Sequence, residues 1–73
     1  MKLPRGLPGQ RVAKGLAKVG FYVRRQRSSH LIMRRDKPFA QVVVPLHGSV
    51  DTGTLSNILD GASLTPEEFT KLL

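Results

Sequence analysis

Phe21-Tyr22-Val23-Arg24-Arg25-Gln26-Arg27-Ser28-Ser29-His30-Leu31-Ile32-Met33-Arg34 decides the architecture, because it reads as two short strands around a polar turn. Phe21 to Arg25 alternates, placing Phe21 and Val23 on one face, and Gln26 to Ser29 is expected to turn the chain. In the second strand, His30 to Arg34, Leu31 and Met33 are the natural core residues. Side chains alternate along a strand, so His30 and Arg34 must point the other way. Tyr22 falls opposite Phe21 and Val23 and is expected to be partly buried, with base stacking as the alternative role.

The flanking sequence completes an α+β sandwich. Before the hairpin, Val12, Leu16 and Val19 recur at spacings of four and three, with Ala13 and Ala17 beside them. This predicts a helix from Gln10 with Arg11, Lys14 and Lys18 off the apolar stripe. Gly15 costs that helix roughly 1 kcal/mol relative to alanine, and Gly20 is suited to close it at positive φ. Met1 to Pro8 is expected to be an irregular lead-in. After the hairpin, Asp36-Lys37-Pro38 supplies a turn. Ala40 to Val44 gives a third strand that Pro45 stops, since proline has no N–H for the ladder.

A lid over the apolar face comes next. Thr52 or Thr54 is expected to cap a short helix carrying Leu55, Ile58 and Leu59, ended by Gly61. Thr65-Pro66-Glu67-Glu68 then has the residues of a helix start: a threonine cap, proline at the first helical position and a glutamate at the third. Phe69, Leu72 and Leu73 pack this last turn back on the core. The order α-β-β-β-α puts helices on one face of a three-stranded antiparallel sheet, in a single domain over residues 1–73.

Composition narrows the function. A chain of 73 residues builds one modest core, and such a chain buries only about 60% of its unfolded surface. With no cysteine there is neither a disulfide nor a thiolate metal site, which suits a reducing compartment. No apolar run is long enough for a bilayer and no signal-peptide pattern follows Met1. The sequence therefore reads as a soluble cytoplasmic protein without a membrane partner.

The charge is lopsided. Residues up to Gln41 hold eleven of the twelve lysines and arginines and one of the five acids, a net +10; the remainder is −3, which together give +7. Such a field draws polyanions, so a nucleic acid is the expected partner. His30 is the one histidine inside the basic half, flanked by Ser28 and Ser29 and by Arg24, Arg25, Arg27 and Arg34.

Those residue types suit phosphodiester chemistry. An imidazole titrates near neutral pH and transfers protons, and guanidinium groups grip phosphate in a two-pronged geometry. RNA is cut without metal when a base takes the 2′-hydroxyl proton, the oxygen attacks phosphorus, and an acid protonates the leaving 5′-oxygen. His30 is the candidate base or acid, and Arg25, Arg27 and Arg34 the candidate phosphate holders. The plain structural alternative is a His30 that hydrogen-bonds within the turn. His47, in Pro45-Leu46-His47-Gly48, could orient its loop or contact RNA, and with no basic neighbours it is read as orienting the loop. Two histidines separated by sixteen residues, with acids mostly near helix ends, do not form a metal-ligand pattern. Glu67 and Glu68 are explained by electrostatics at a helix start.

Five motifs stand in order along the chain: Gly20-Phe21, Arg25-Gln26-x-x-Ser29-His30, Val44-Pro45-x-His47, Gly53-Thr54-Leu55-x-x-Ile58-Leu59 and Leu64-Thr65-x-Glu67-Glu68-Phe69. In that combination the chain resembles HicA-type toxins of bacterial and archaeal toxin–antitoxin pairs. The resemblance implies a fold like that of double-stranded-RNA-binding domains, mRNA interferase activity, no cofactor, and restraint by a HicB-like antitoxin. It places the active histidine at His30, with Ser29 at the serine before it; Arg24, Arg25, Arg27, Ser28, Ser29 and Arg34, read from their types and positions, are the candidate RNA-binding residues. Two positions depart from the family pattern. Ser28 stands where a glycine is usual, and Leu31 where a second histidine is frequent. The alternative reading is a non-catalytic RNA-binding module, a decayed toxin that reads RNA shape and phosphates. Both readings need the basic half; only the nuclease needs His30.

Overall fold

The structure is a computed structural model that describes residues 3–73. Helix α1 spans Gly9–Ala17, strands β1, β2 and β3 span Tyr22–Arg27, His30–Asp36 and Phe39–Pro45, and helices α2 and α3 span Thr52–Ala62 and Pro66–Thr70. The strands form one antiparallel sheet in the order β1-β2-β3. This is the α+β architecture expected, with helices on one face of a three-stranded sheet. Among the described residues no helix is long and apolar enough to cross a membrane.

The core lies between the helices and the sheet. Val12 and Leu16 from α1, Leu31, Met33, Val42 and Val44 from the sheet, Leu55, Ile58 and Leu59 from α2, and Phe69 from α3 are all buried. No polar or charged side chain among the described residues is buried with them. The expected lead-in is partly tied down. Leu7 is buried and accepts a hydrogen bond at 2.8 Å from Val50 N–H, while Met1 and Lys2 lie outside the described residues.

Helix ends follow the capping chemistry. Gly20 has φ 96°, and Phe21 N–H donates to Leu16 O while Gly20 N–H donates to Ala17 O, so α1 closes on its glycine as expected. At α3, Thr65 and Glu68 form the reciprocal capping box, with Pro66 at the first position. Two expectations are corrected at α2. Its N-cap is Asp51, whose carboxylate accepts from Thr54 N–H at 2.7 Å, because a carboxylate reaches the free N–H groups better than either threonine inside the first turn. The helix also runs through Gly61 to Ala62 and ends on Ser63 at φ 59°. Gly61 serves close packing instead: a Cβ there would come within 3.1 Å of Val42 Cγ1. Gly15 likewise accommodates the buried Phe69 ring, which would lie 3.0 Å from an added Cβ.

The first strand departs further from expectation. It continues through Gln26 and Arg27, so only Ser28 and Ser29 form the turn, and a bulge at Arg24 separates Val23 opposite Met33 from Arg25 opposite Ile32. Val23 is 50% exposed rather than core, because β1 is an edge strand and the helices pack mainly over β3. Phe21 alone is buried there, beneath the Arg35 guanidinium at 4.8 Å.

Ser28 adopts φ 54°, the left-handed region in which residues with a Cβ are strained by roughly 1–2 kcal/mol. Two-residue hairpin turns require such a φ at their first position and favour glycine there. Ser28 therefore holds the left-handed geometry that a glycine would take at this position. Ser28→Gly is expected to raise the melting temperature by a few degrees, since relief of strain exceeds the added unfolded-state entropy of glycine. A melt that is unchanged or lower would show the turn to be unstrained.

Candidate catalytic and RNA-binding face

The side of the sheet away from the helices is open. Alternation in β2 puts His30, Ile32, Arg34 and Asp36 on it, and the register adds their cross-strand partners: Arg27 opposite His30, Arg25 opposite Ile32 and Tyr22 opposite Arg34. Arg25, Arg27 and His30 are all exposed at the end of the sheet that carries the Ser28-Ser29 turn. Leu31, at the position of the family's second histidine, points into the core and is 8% exposed. A histidine there would face Val44 rather than the open side, so this departure takes nothing from the exposed face.

Arg34 is placed differently. Its Nε–H donates to Asp36 Oδ1 at 2.9 Å, and its guanidinium lies 5.1 Å from the centre of the Phe39 ring. Tyr22 is 45% exposed, and its hydroxyl donates to Asp36 Oδ2 at 3.1 Å. Arg34 is therefore held in a local cluster, four residues along β2 from His30, or roughly 13 Å at strand rise. Arg24 is exposed at the bulge. Ser28 and Ser29 form the turn, and Ser29 contributes through its backbone: its carbonyl accepts from Leu46 N–H at 2.6 Å.

That contact brings in the residue whose place the sequence reading missed. His30 pairs with Pro45, so the chain leaving β3 runs past His30, and the His47 ring stands edge-on to it with centroids 6.2 Å apart and planes at 68°. The His47 carbonyl accepts from Gly9 N–H at 2.9 Å, which fixes the loop against the first turn of α1. The expected loop-orienting role thus belongs to the His47 backbone, and its imidazole remains exposed. The signal for this proximity was the antiparallel register: once His30 opposes Pro45, residue 47 must lie close.

Both imidazoles border a pocket of about 230 Å³, completed by Pro45, Val50, Asp51 and Thr54. Asp51 uses both oxygens on Thr54, accepting from its N–H at 2.7 Å and from its hydroxyl at 3.1 Å. The backbone hydrogen bond, followed by the side-chain one, holds its carboxyl below the usual carboxylate range. Among the described residues, no three of histidine, aspartate and glutamate gather as a metal site would need.

No curated protein matches the chain. The family model described as the HicA toxin of bacterial toxin-antitoxin matches residues 9–64, which takes in α1, the whole sheet and α2. The chain accordingly belongs to the HicA toxin family, the toxin component of toxin–antitoxin pairs, which implies a cognate antitoxin as partner.

Proposed function

We propose that this toxin is a metal-independent endoribonuclease, an mRNA interferase, in which His30 transfers a proton during cleavage. The observation that carries the reading is the position of His30: exposed on the open side of the sheet, opposite Arg27, and contributing nothing to the core. Arg25 and Arg27 hold the phosphate backbone beside it. Arg24 and the Ser28-Ser29 turn border the same end, and Arg34 extends the track toward Phe39. A HicB-like antitoxin is the expected restraint. The net +10 of the chain up to Gln41 is the field that an acidic partner surface would complement. Cytoplasmic mRNA is the expected substrate.

The test is cleavage of a labelled RNA by the purified chain in excess EDTA. The expected products carry a 2′,3′-cyclic phosphate, or its hydrolysed form, and a free 5′-hydroxyl. Binding should also weaken with salt: if about four to six phosphates are neutralised, log K falls by roughly 0.7 per contact per unit of log salt for single strands. Salt-sensitive binding without cleavage would favour the decayed-toxin reading, and binding flat in salt would remove the polyanion argument altogether.

A further inference from the structure

Resting on the ribonuclease reading, we infer that His47 is the second proton-transfer group, so that cleavage is carried by a His30–His47 pair. Phosphodiester transesterification needs two proton transfers at opposite apices of one phosphorus, and a single imidazole would have to serve both in turn. Two rings with centroids 6.2 Å apart can each place a nitrogen about 3 Å from a different oxygen of that phosphorus, the reach proton transfer requires. The rings border one pocket, with Arg27 beside His30 across the strands and Asp51 on the α2 side.

Their spacing is built into the fold rather than left to loop chance. The pairing of His30 with Pro45, the Ser29–Leu46 hydrogen bond and the His47–Gly9 hydrogen bond hold the two backbones in register. Among the described residues neither imidazole makes a hydrogen bond to the fold, and both are exposed, so both rings are available for a substrate.

The step balances with two histidines alone. One imidazole accepts the 2′-hydroxyl proton as the 2′-oxygen lone pair forms a bond to phosphorus. The phosphorus–O5′ bond breaks, its electron pair goes to O5′, and the other ring, starting as an imidazolium, delivers a proton there. Nothing is oxidised or reduced, and no water enters this step. The rings have exchanged protonation states, and exchange with solvent resets them.

The experiment compares wild type, His30→Ala, His47→Gln and His47→Asn on a labelled single-stranded RNA under single-turnover conditions. The same four proteins are then tested on an RNA whose scissile 5′-oxygen is replaced by sulfur, a leaving group that needs no acid. His47→Gln is expected to lose at least about 100-fold in rate, while its RNA affinity stays within about threefold and its melt within a few degrees. On the sulfur substrate, one of the two histidine positions should recover most of its lost rate and the other should not. The wild-type pH profile should show two limbs, of which His47→Gln retains one.

Full-rate cleavage by both His47 variants would overturn the pair while leaving a nuclease that works through His30. So would a loss matched by lost affinity or a lowered melt in both His47 variants, or sulfur rescue at neither position. A wild type that cleaves neither substrate would instead sink the ribonuclease reading, and the pair with it.

Discussion

His30→Ala should leave the melting temperature within a few degrees of wild type while RNA cleavage falls by roughly 10²–10⁴-fold, the usual contribution of one acid or base. The stability half follows from position. His30 is exposed, no buried polar side chain occurs in the described core, and Leu31 and Met33 anchor β2 from the other face. Surface changes away from special features usually stay within about 0.5 kcal/mol. RNA binding should survive, because the guanidinium groups that supply it are untouched. Toxicity on induced expression should fall with the cleavage rate. An alanine variant that cuts RNA at the wild-type rate would clear His30 of any part in catalysis. One that unfolds would show its ring to be holding the turn.

The largest stability effect is expected at Gly9→Ala, where local and tertiary preferences disagree in sign. Alanine is favoured over glycine in helices by about 1 kcal/mol at most, and less in the first turn. Against this, a Cβ on Gly9 would meet the Pro45 carbonyl oxygen, its carbon at 3.0 Å and Leu46 Cα at 3.1 Å. All three are backbone atoms, so no side chain can swing aside. Overpacking of this kind costs 1–3 kcal/mol and occasionally more, and the tertiary term should win. For a domain of this size a net loss of about 1–2 kcal/mol lowers the melting temperature by roughly 4–16 °C. Because Gly9 also donates to the His47 carbonyl, the loop that carries His47 should shift in whatever fraction stays folded. A melt equal to or above wild type would mean that α1 and the end of β3 can part without loss.

What was legible in the sequence was whatever depends on near neighbours. The α1 stripe, the Gly20 closure, the Thr65–Glu68 box and the alternation that sends His30 away from Leu31 all act within about five residues. They appeared where the sequence put them. What depends on which surfaces meet was not legible. Val23 alternates correctly yet lies half exposed, since alternation does not reveal that β1 is the edge. Gly61 resembles a stop signal, but its lack of a side chain is used by Val42, nineteen residues earlier and in another layer. Arg34 had the right charge and the right face, and only the fold shows Asp36 and Phe39 engaging it. His47 was set aside for lack of basic neighbours in sequence, when its relevant neighbour is His30 across the sheet.

The bulged first strand has one further consequence. Its outer edge offers unpaired backbone groups along six exposed residues, the feature by which sheets recruit one another into aggregates. Three of those six are arginines, and Arg24 sits at the irregularity that breaks the ladder. A second copy docking there would bring arginine against arginine, and like charges directly opposite one another destabilise a sheet. The strand thus protects itself from self-association with the same cations that attract a polyanion.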